Sequence, residues 1–278
     1  MATKMSFVRF ALLLAIAAAL PAAPATIAAA DVAPERVQLR IELYGFAGFH
    51  VLTDRTTLDT SADHYSIASD IDTRGIAAVF VDLNSHSTVQ GRIAANAAYP
   101  EAYRGEVRRN GVDRRYRIDY RPDGPIASEL APPAATWRSQ GAPDELRGTV
   151  DQLTAYFLLE RQLARTGSCK LTVPVFDGHG RYNLHFLDAA EQAPPRGPAK
   201  SFAGPTHVCA AVRKDVPGFA GNGDQGEGTY RSGRVWYARL GANGHMVPVQ
   251  MEYDTEFGII RGYLAEYKGY GIDRRFIE

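Results

Sequence analysis

The feature that most restricts this chain is apolar alternation with a period of two. Val37, Leu39, Ile41 and Leu43 alternate with Gln38, Arg40, Glu42 and Tyr44. Successive side chains of a strand point to opposite faces, so this pattern predicts a strand with one dry face and one wet face. Similar segments at 46–60, 64–71 and 77–90 continue as a meander, with Gly45 and Gly75 as punctuation. The clearest hairpin is 104–121, because Asn110-Gly111 is a dipeptide that tolerates the positive φ of a two-residue turn. Val112, Arg114, Tyr116, Ile118 and Tyr120 fall on one face of its second strand, which is largely core-like. Asp113, Arg115, Arg117, Asp119 and Arg121 fall on the other. The segment's seven arginines suit phosphate binding or a solvated strand face, and the solvated face is the simpler reading.

One segment breaks the period. Residues 122–147 carry Pro122, Pro125, Pro132, Pro133 and Pro143 and predict a loop crossing the surface. A helix is then expected from Thr149, with Gln152 completing a capping box, Asp151 at the positive end and Gly167 as the stop. Val150, Leu153, Tyr156, Phe157, Leu159, Leu163 and Ala164 form one broad apolar face, and Glu160 falls inside the same arc. A buried carboxylate needs a partner or a raised pKa. Glu160 therefore reads either as a rim residue paired with an Arg or as part of a ligand site. Strand signals resume afterwards. A hairpin is expected over 170–187, a Pro-rich loop at 191–198, a strand at 202–213, a Gly-rich run at 217–228 and a hairpin over 235–253. A last strand at 257–267 is expected to close the sheet.

The first thirty residues have the layout of a cleaved secretory signal peptide. Lys4 and Arg9 precede an apolar run at 10–20, Pro21 breaks it, and Ala28, Ala29 and Ala30 offer small residues before Asp31. The run is about half of the ~20 residues that a membrane span needs. The expectation is a signal peptide at 1–30 and a single β-rich periplasmic domain at 31–278, with no transmembrane segment after cleavage. Without Lys4 and Arg9 the chain holds 29 basic against 31 acidic residues, a balance that gives no field for nucleic acid. Cys169 and Cys209 are the only cysteines. In an oxidising compartment such a pair most simply forms a disulfide. The other reading makes Cys209 a nucleophile beside His207.

Catalytic and metal signatures are thin. The seven histidines form no metal-ligand spacing, and no nucleophile elbow or phosphate-cradling glycine loop opens a helix. Asp70 and Asp72 share a strand face, but without a third ligand they are weak candidates for metal binding or acid–base work. The expectation is no cofactor, no metal and no catalytic residue.

The Tyr44-Gly45-Phe46 segment, the helix start at Val150-Asp151-Gln152-Leu153-Thr154, the run from Cys169 to Arg181 with its Pro-Val-Phe-Asp-Gly, the second cysteine and the 235–249 hairpin together resemble a family of exported Gram-negative proteins of unknown function. The resemblance spans roughly 37–267. Gln152 departs from it, standing where a proline is expected. At the level of fold such proteins look like the LolA, LolB and RseB type. That resemblance implies a mainly β fold, with a curved antiparallel sheet or half-open β-barrel and one principal amphipathic helix. It also implies an apolar cavity for acyl chains or a hydrophobic peptide. One helix cannot cover a long sheet, so a groove should remain. The expected function is non-catalytic binding of a lipid, a lipoprotein acyl chain or another hydrophobic envelope component, supporting envelope integrity. Leu153, Tyr156, Phe157 and Glu160 are the expected ligand-binding residues. The alternatives are a structural or protein-interaction domain with a filled core, or an envelope enzyme using His207 with Cys209 or the Asp70/Asp72 pair.

Overall fold

The structure is a computed structural model that describes residues 34–45, 48–74, 82–131, 143–178, 180–190, 197–198, 201–216, 232–241, 245–255 and 258–277. The signal peptide expected at 1–30 and the Gly-rich run at 217–228 lie outside the described residues. The strands are β1 (Glu35–Tyr44), β2 (His50–Thr60), β3 (His64–Thr73), β4 (Leu83–Ala94), β5 (Ala97–Arg109), β6 (Val112–Arg121), β7 (Gly124–Ala131), β8 (Leu171–Phe176), β9 (Arg181–Asp188), β10 (His207–Asp215), β11 (Ser232–Leu240), β12 (His245–Thr255), β13 (Gly258–Gly269) and β14 (Ile272–Arg275). Among the described residues there is one α-helix, α1 (Gln152–Thr166), between β7 and β8 in sequence.

All fourteen strands belong to one antiparallel sheet, ordered β7-β6-β5-β4-β3-β2-β1-β13-β12-β11-β10-β9-β8, with β14 paired to β13. The expected class, mainly β with an unclosed sheet and one principal helix, is what forms. Alternation across six strands explains the packing. Val37, Leu58, Ile67, Val89, Tyr103 and Ile118 stand opposite one another in a continuous apolar row. Arg40, Arg55, Asp70, His86, Glu106 and Arg115 make the corresponding charged row three residues along, on the opposite face. At the turn between β5 and β6, Asn110 and Gly111 have φ of 48° and 78°, the left-handed pair that a tight hairpin requires.

The helix fills the apolar side of the sheet, and both main core clusters meet on it. Phe157 packs with Val37, Ile41, Tyr65 and Tyr267, while Ala155, Leu159 and Leu163 pack with Val173, Leu184, Phe186 and Val235. Gly167 ends it in the left-handed conformation at φ 69°, donating its N–H to the Leu163 carbonyl.

Four expectations need correction. The N-cap is Asp151, not Thr149. Asp151 Oδ1 accepts the Thr154 N–H at 2.9 Å and Oδ2 accepts the Thr154 hydroxyl at 2.6 Å, while the Thr149 hydroxyl bonds back to the Leu146 carbonyl. The stretch read as loop contains β7. Pro125 is tolerated there because β7 is an edge strand and needs no second ladder partner. β13 does not close the sheet; it sits at its middle, between β1 and β12, joining the two ends of the domain. The strand expected from 202 begins at His207.

The true edges are β7 and β8, which do not pair. Part of the β8 edge is covered by Val150, whose N–H donates to the Pro174 carbonyl at 3.0 Å and whose carbonyl accepts from Phe176 at 2.9 Å. Ile118, Leu146 and Phe176 pack together here, so side chains from β6, the short 3-10 turn Pro143–Leu146 and β8 fill the space between the edges.

Candidate functional site

The helix separates the four expected ligand residues into two environments. Phe157 is 3% exposed and stacks on Tyr65 with ring centroids 4.9 Å apart. The Tyr65 hydroxyl lies 2.8 Å from Thr154 Oγ1, which anchors that ring to the helix start. Leu153 packs against the same cluster. Tyr156 meets Phe186 edge-on at 5.4 Å, and its hydroxyl is 3.5 Å from that of Tyr253. These three side chains lie in side-chain packing. Glu160, one turn further, borders open space.

That space is a cavity of about 420 Å3 at the end of the sheet where α1 finishes. Leu158, Glu160, Arg161, Gln162, Ala164 and Arg165 of the helix form one wall. Ala95 and Asn96 of the β4–β5 turn, Leu171 at the start of β8, His245 and Met246 at the start of β12, and Tyr270 after β13 complete it. The volume falls within the range of about 300–1,000 Å3 typical of ligand sites.

Its electrostatics are unusual. Glu160 has neither a hydrogen bond nor an ion pair among the described residues, and burial pushes its carboxyl up to about 8. Burial therefore favours its neutral form. Arg161 lies with its guanidinium carbon 5.5 Å from the Phe157 ring centroid and reaches the Ala94 and Ala95 carbonyls at 3.3 and 3.4 Å. Burial, and then the like charge of Arg165, hold its pKa below the usual value. Arg165 donates to the Gln162 side chain at 2.6 Å. His245 is pushed down by burial and stacks obliquely on Tyr270 at 4.8 Å. The pocket thus carries two guanidinium groups, a neutral acid and an imidazole disfavoured from charging.

A titration follows from the Glu160 environment. Its folded pKa lies above the unfolded value, so the folded state binds the proton more tightly. Stability should fall as pH rises from about 4.5 to about 8. Glu160→Gln removes the proton-linked loss. The variant should gain about 1–3 kcal/mol on wild type between pH 5 and pH 8.5, allowing for solvent access at the pocket. Urea titrations of both proteins at the two pH values measure it; parallel pH dependences would contradict the assignment.

The other candidate residues lie apart from this pocket. Cys169 and Cys209 are fully buried with their sulfurs at disulfide-bonding distance and Cα atoms 5.7 Å apart. His207 stands nearby, its Nε2 3.1 Å from Asp188 Oδ1. With both sulfurs joined, Cys209 has no thiolate for nucleophilic work. Asp70 and Asp72 lie on the charged face, Asp70 against His86 at 2.6 Å and Asp72 against Arg55 and Arg74 at 2.8 Å. The burial of three other carboxyl residues gave no signal in the sequence: Glu42 is 5% exposed, Asp151 is 1% exposed, and Asp54 is partly buried. Asp54 sits opposite Ile41 and Ile71, and burial pushes it up to about 6 against hydrogen bonds from Ser69 and Thr56. Of the pocket, sequence reading found Glu160 alone. Arg161 and Arg165 gave a signal, since like charges at i and i+4 on a helix repel. His245, Tyr270 and Asn96 gave none.

A family model described as "Protein of unknown function (DUF3108)" matches residues 39–265. No curated protein matches the chain. Among solved structures, the chain is similar to a beta-barrel-like protein of the domain of unknown function DUF1849 from Brucella abortus. The identity is 14%, with a TM-score of 0.48 and coverage of 86% of this chain and 98% of that one.

Proposed function

The chain belongs to the family described as Protein of unknown function (DUF3108), and we propose that it is a non-catalytic binding protein of the cell envelope, exported to the periplasm, that takes an amphiphilic molecule in the pocket at the end of α1. The observation that carries this reading is the pocket itself. It has a ligand-sized volume, a mixed wall of Leu158, Leu171 and Met246 with Glu160, Arg161 and Arg165, and a carboxyl with no protein partner. The N-terminal leader pattern and the joined cysteines support an oxidising envelope compartment.

The ligand differs from a plain hydrocarbon. The space beside Phe157 is occupied by protein, so an acyl chain enters at the end of the helix and not along its centre. Filling the pocket tests this. Ala164→Trp adds a ring to the pocket wall. It should weaken binding of a fluorescent single-chain fatty acid by at least about tenfold, a change of roughly 1.4 kcal/mol. The melting temperature should change little. Unchanged affinity, or no binding by wild type, would remove the pocket from the function.

A second reading rests on a different observation. The interior is well filled around Phe157, Tyr65 and Leu159, as in a structural or protein-interaction domain. Under that reading the wild type binds no amphiphile, and the Ala164→Trp experiment separates the two.

A further inference from the structure

We infer that in its dithiol form the protein binds one zinc ion through Cys169, His207 and Cys209, so that the metal and the disulfide are alternative closures of one site. Three observations carry it. First, the two sulfurs and one ring nitrogen of His207 all lie within 4.8 Å of one another. Donor atoms around a tetrahedral zinc stand about 3.5–3.8 Å apart, given bond lengths of about 2.0–2.3 Å, so the three groups are gathered on the scale that the ion needs. Reduction lets the sulfurs part by side-chain rotation. Second, the donors sit on ordered sheet. His207 and Cys209 lie two residues apart on β10, on one face of that strand, and Cys169 stands two residues before β8. Third, Asp188, which pairs with Cys209 in the ladder, holds the group from outside. Its Oδ1 accepts the Cys169 N–H at 2.7 Å and lies 3.1 Å from His207 Nε2, while its Oδ2 accepts the Ser168 hydroxyl at 2.7 Å. A carboxylate behind a ligating imidazole fixes the ring and raises its basicity.

The donor set decides the ion. Thiolate and imidazole suit zinc, whereas magnesium and calcium take oxygen ligands. Three protein donors leave the fourth tetrahedral position to water. Both cysteines are fully buried, and the His207 side chain, 36% exposed, forms the open side of the cluster. The exchange balances. A dithiol reductant gives two electrons and two protons to the Cys169–Cys209 bond and closes to a disulfide itself. Zinc then binds the two sulfurs as thiolates, and their two protons leave to solvent. A disulfide oxidant runs the sequence backwards and releases the ion. A newly made chain, whose sulfurs are not yet joined, starts in the same dithiol state.

The test compares the oxidised protein with the same protein reduced by a phosphine and kept free of oxygen. Cobalt(II) is the probe, because a thiolate-to-cobalt charge-transfer band and intense visible bands mark a tetrahedral sulfur site. Reduced protein should take one cobalt per chain with those bands. Zinc should bleach them, and a large excess of magnesium or calcium should not. Oxidised protein should show none. His207→Ala should weaken cobalt binding by at least about tenfold, and Asp188→Asn by about 10–100-fold, with the thiolate band kept in both. Zinc should raise the urea midpoint of the reduced protein and leave that of the oxidised protein unchanged. If reduction unfolds the chain, zinc should restore its far-ultraviolet β spectrum, since metal binding then supplies folding free energy. Absence of the charge-transfer band from the reduced protein overturns the inference. So does equal cobalt affinity in wild type and His207→Ala, or equal binding by the oxidised and reduced forms.

Discussion

Phe157→Ala is expected to lower the unfolding free energy by about 3–5 kcal/mol, the cost of emptying a large aromatic site in a packed core. Phe157 is 3% exposed, its ring stacks on Tyr65, and it belongs to the cluster that ties the helix to β1, β3 and β13. Its removal also takes the aromatic face from beneath Arg161. Urea titration near pH 6 measures the loss. The value distinguishes two roles for the helix. A wall residue of an open cavity would show a distinctly smaller loss, because the space already exists. A core-sized loss places the centre of the helix in the packing and leaves ligand uptake to its last turns. A loss below about 1 kcal/mol would contradict this.

Breaking the Cys169–Cys209 link is expected to cost about 4 kcal/mol on the chain-entropy estimate for a 40-residue separation. The link joins the start of β8 to β10, across β9. β8 is an edge strand, so the crosslink holds the segment that has the fewest ladder partners. Cys169→Ala with Cys209→Ala avoids leaving an unpaired thiol in a fully buried place. A shift of the urea midpoint should appear in the double variant and in reduced wild type. Thiol counting on denatured, unreduced wild type should find no free thiol; two free thiols would contradict the link.

The sequence was readable where structure is local. Alternation in 37–44 and 112–121 predicts the face each residue takes, because strand geometry assigns it, but not its burial: Glu42 on the expected wet face is 5% exposed, and Val112 on the expected core-like face is 53% exposed. Asn110-Gly111 predicts its turn for the same reason. The helix was legible from its apolar face and Gly167, but its start was misplaced by two residues. Thr149 and Asp151 are both competent caps, but the Thr149 hydroxyl bonds back to the Leu146 carbonyl three residues earlier, at the end of the short 3-10 turn. β7 was hidden because prolines argue against a ladder, and only the sheet order shows that β7 needs one neighbour. The β1–β13 pairing joins residues more than two hundred apart, and no local signal encodes it. The pocket suffers the same loss. Its wall draws on α1, two turns and the starts of two strands, so Glu160 announced itself by breaking an apolar arc while His245 and Tyr270 did not.

Native mass spectrometry of the protein, recovered gently without reducing agent from cells that make it, tests the binding claim most directly. Wild type should carry one small amphiphile per chain in a measurable fraction of molecules, and Ala164→Trp should appear bare. Bare chains alone in the wild-type spectrum, or the same adduct at the same occupancy in Ala164→Trp, would contradict a ligand site at the end of α1.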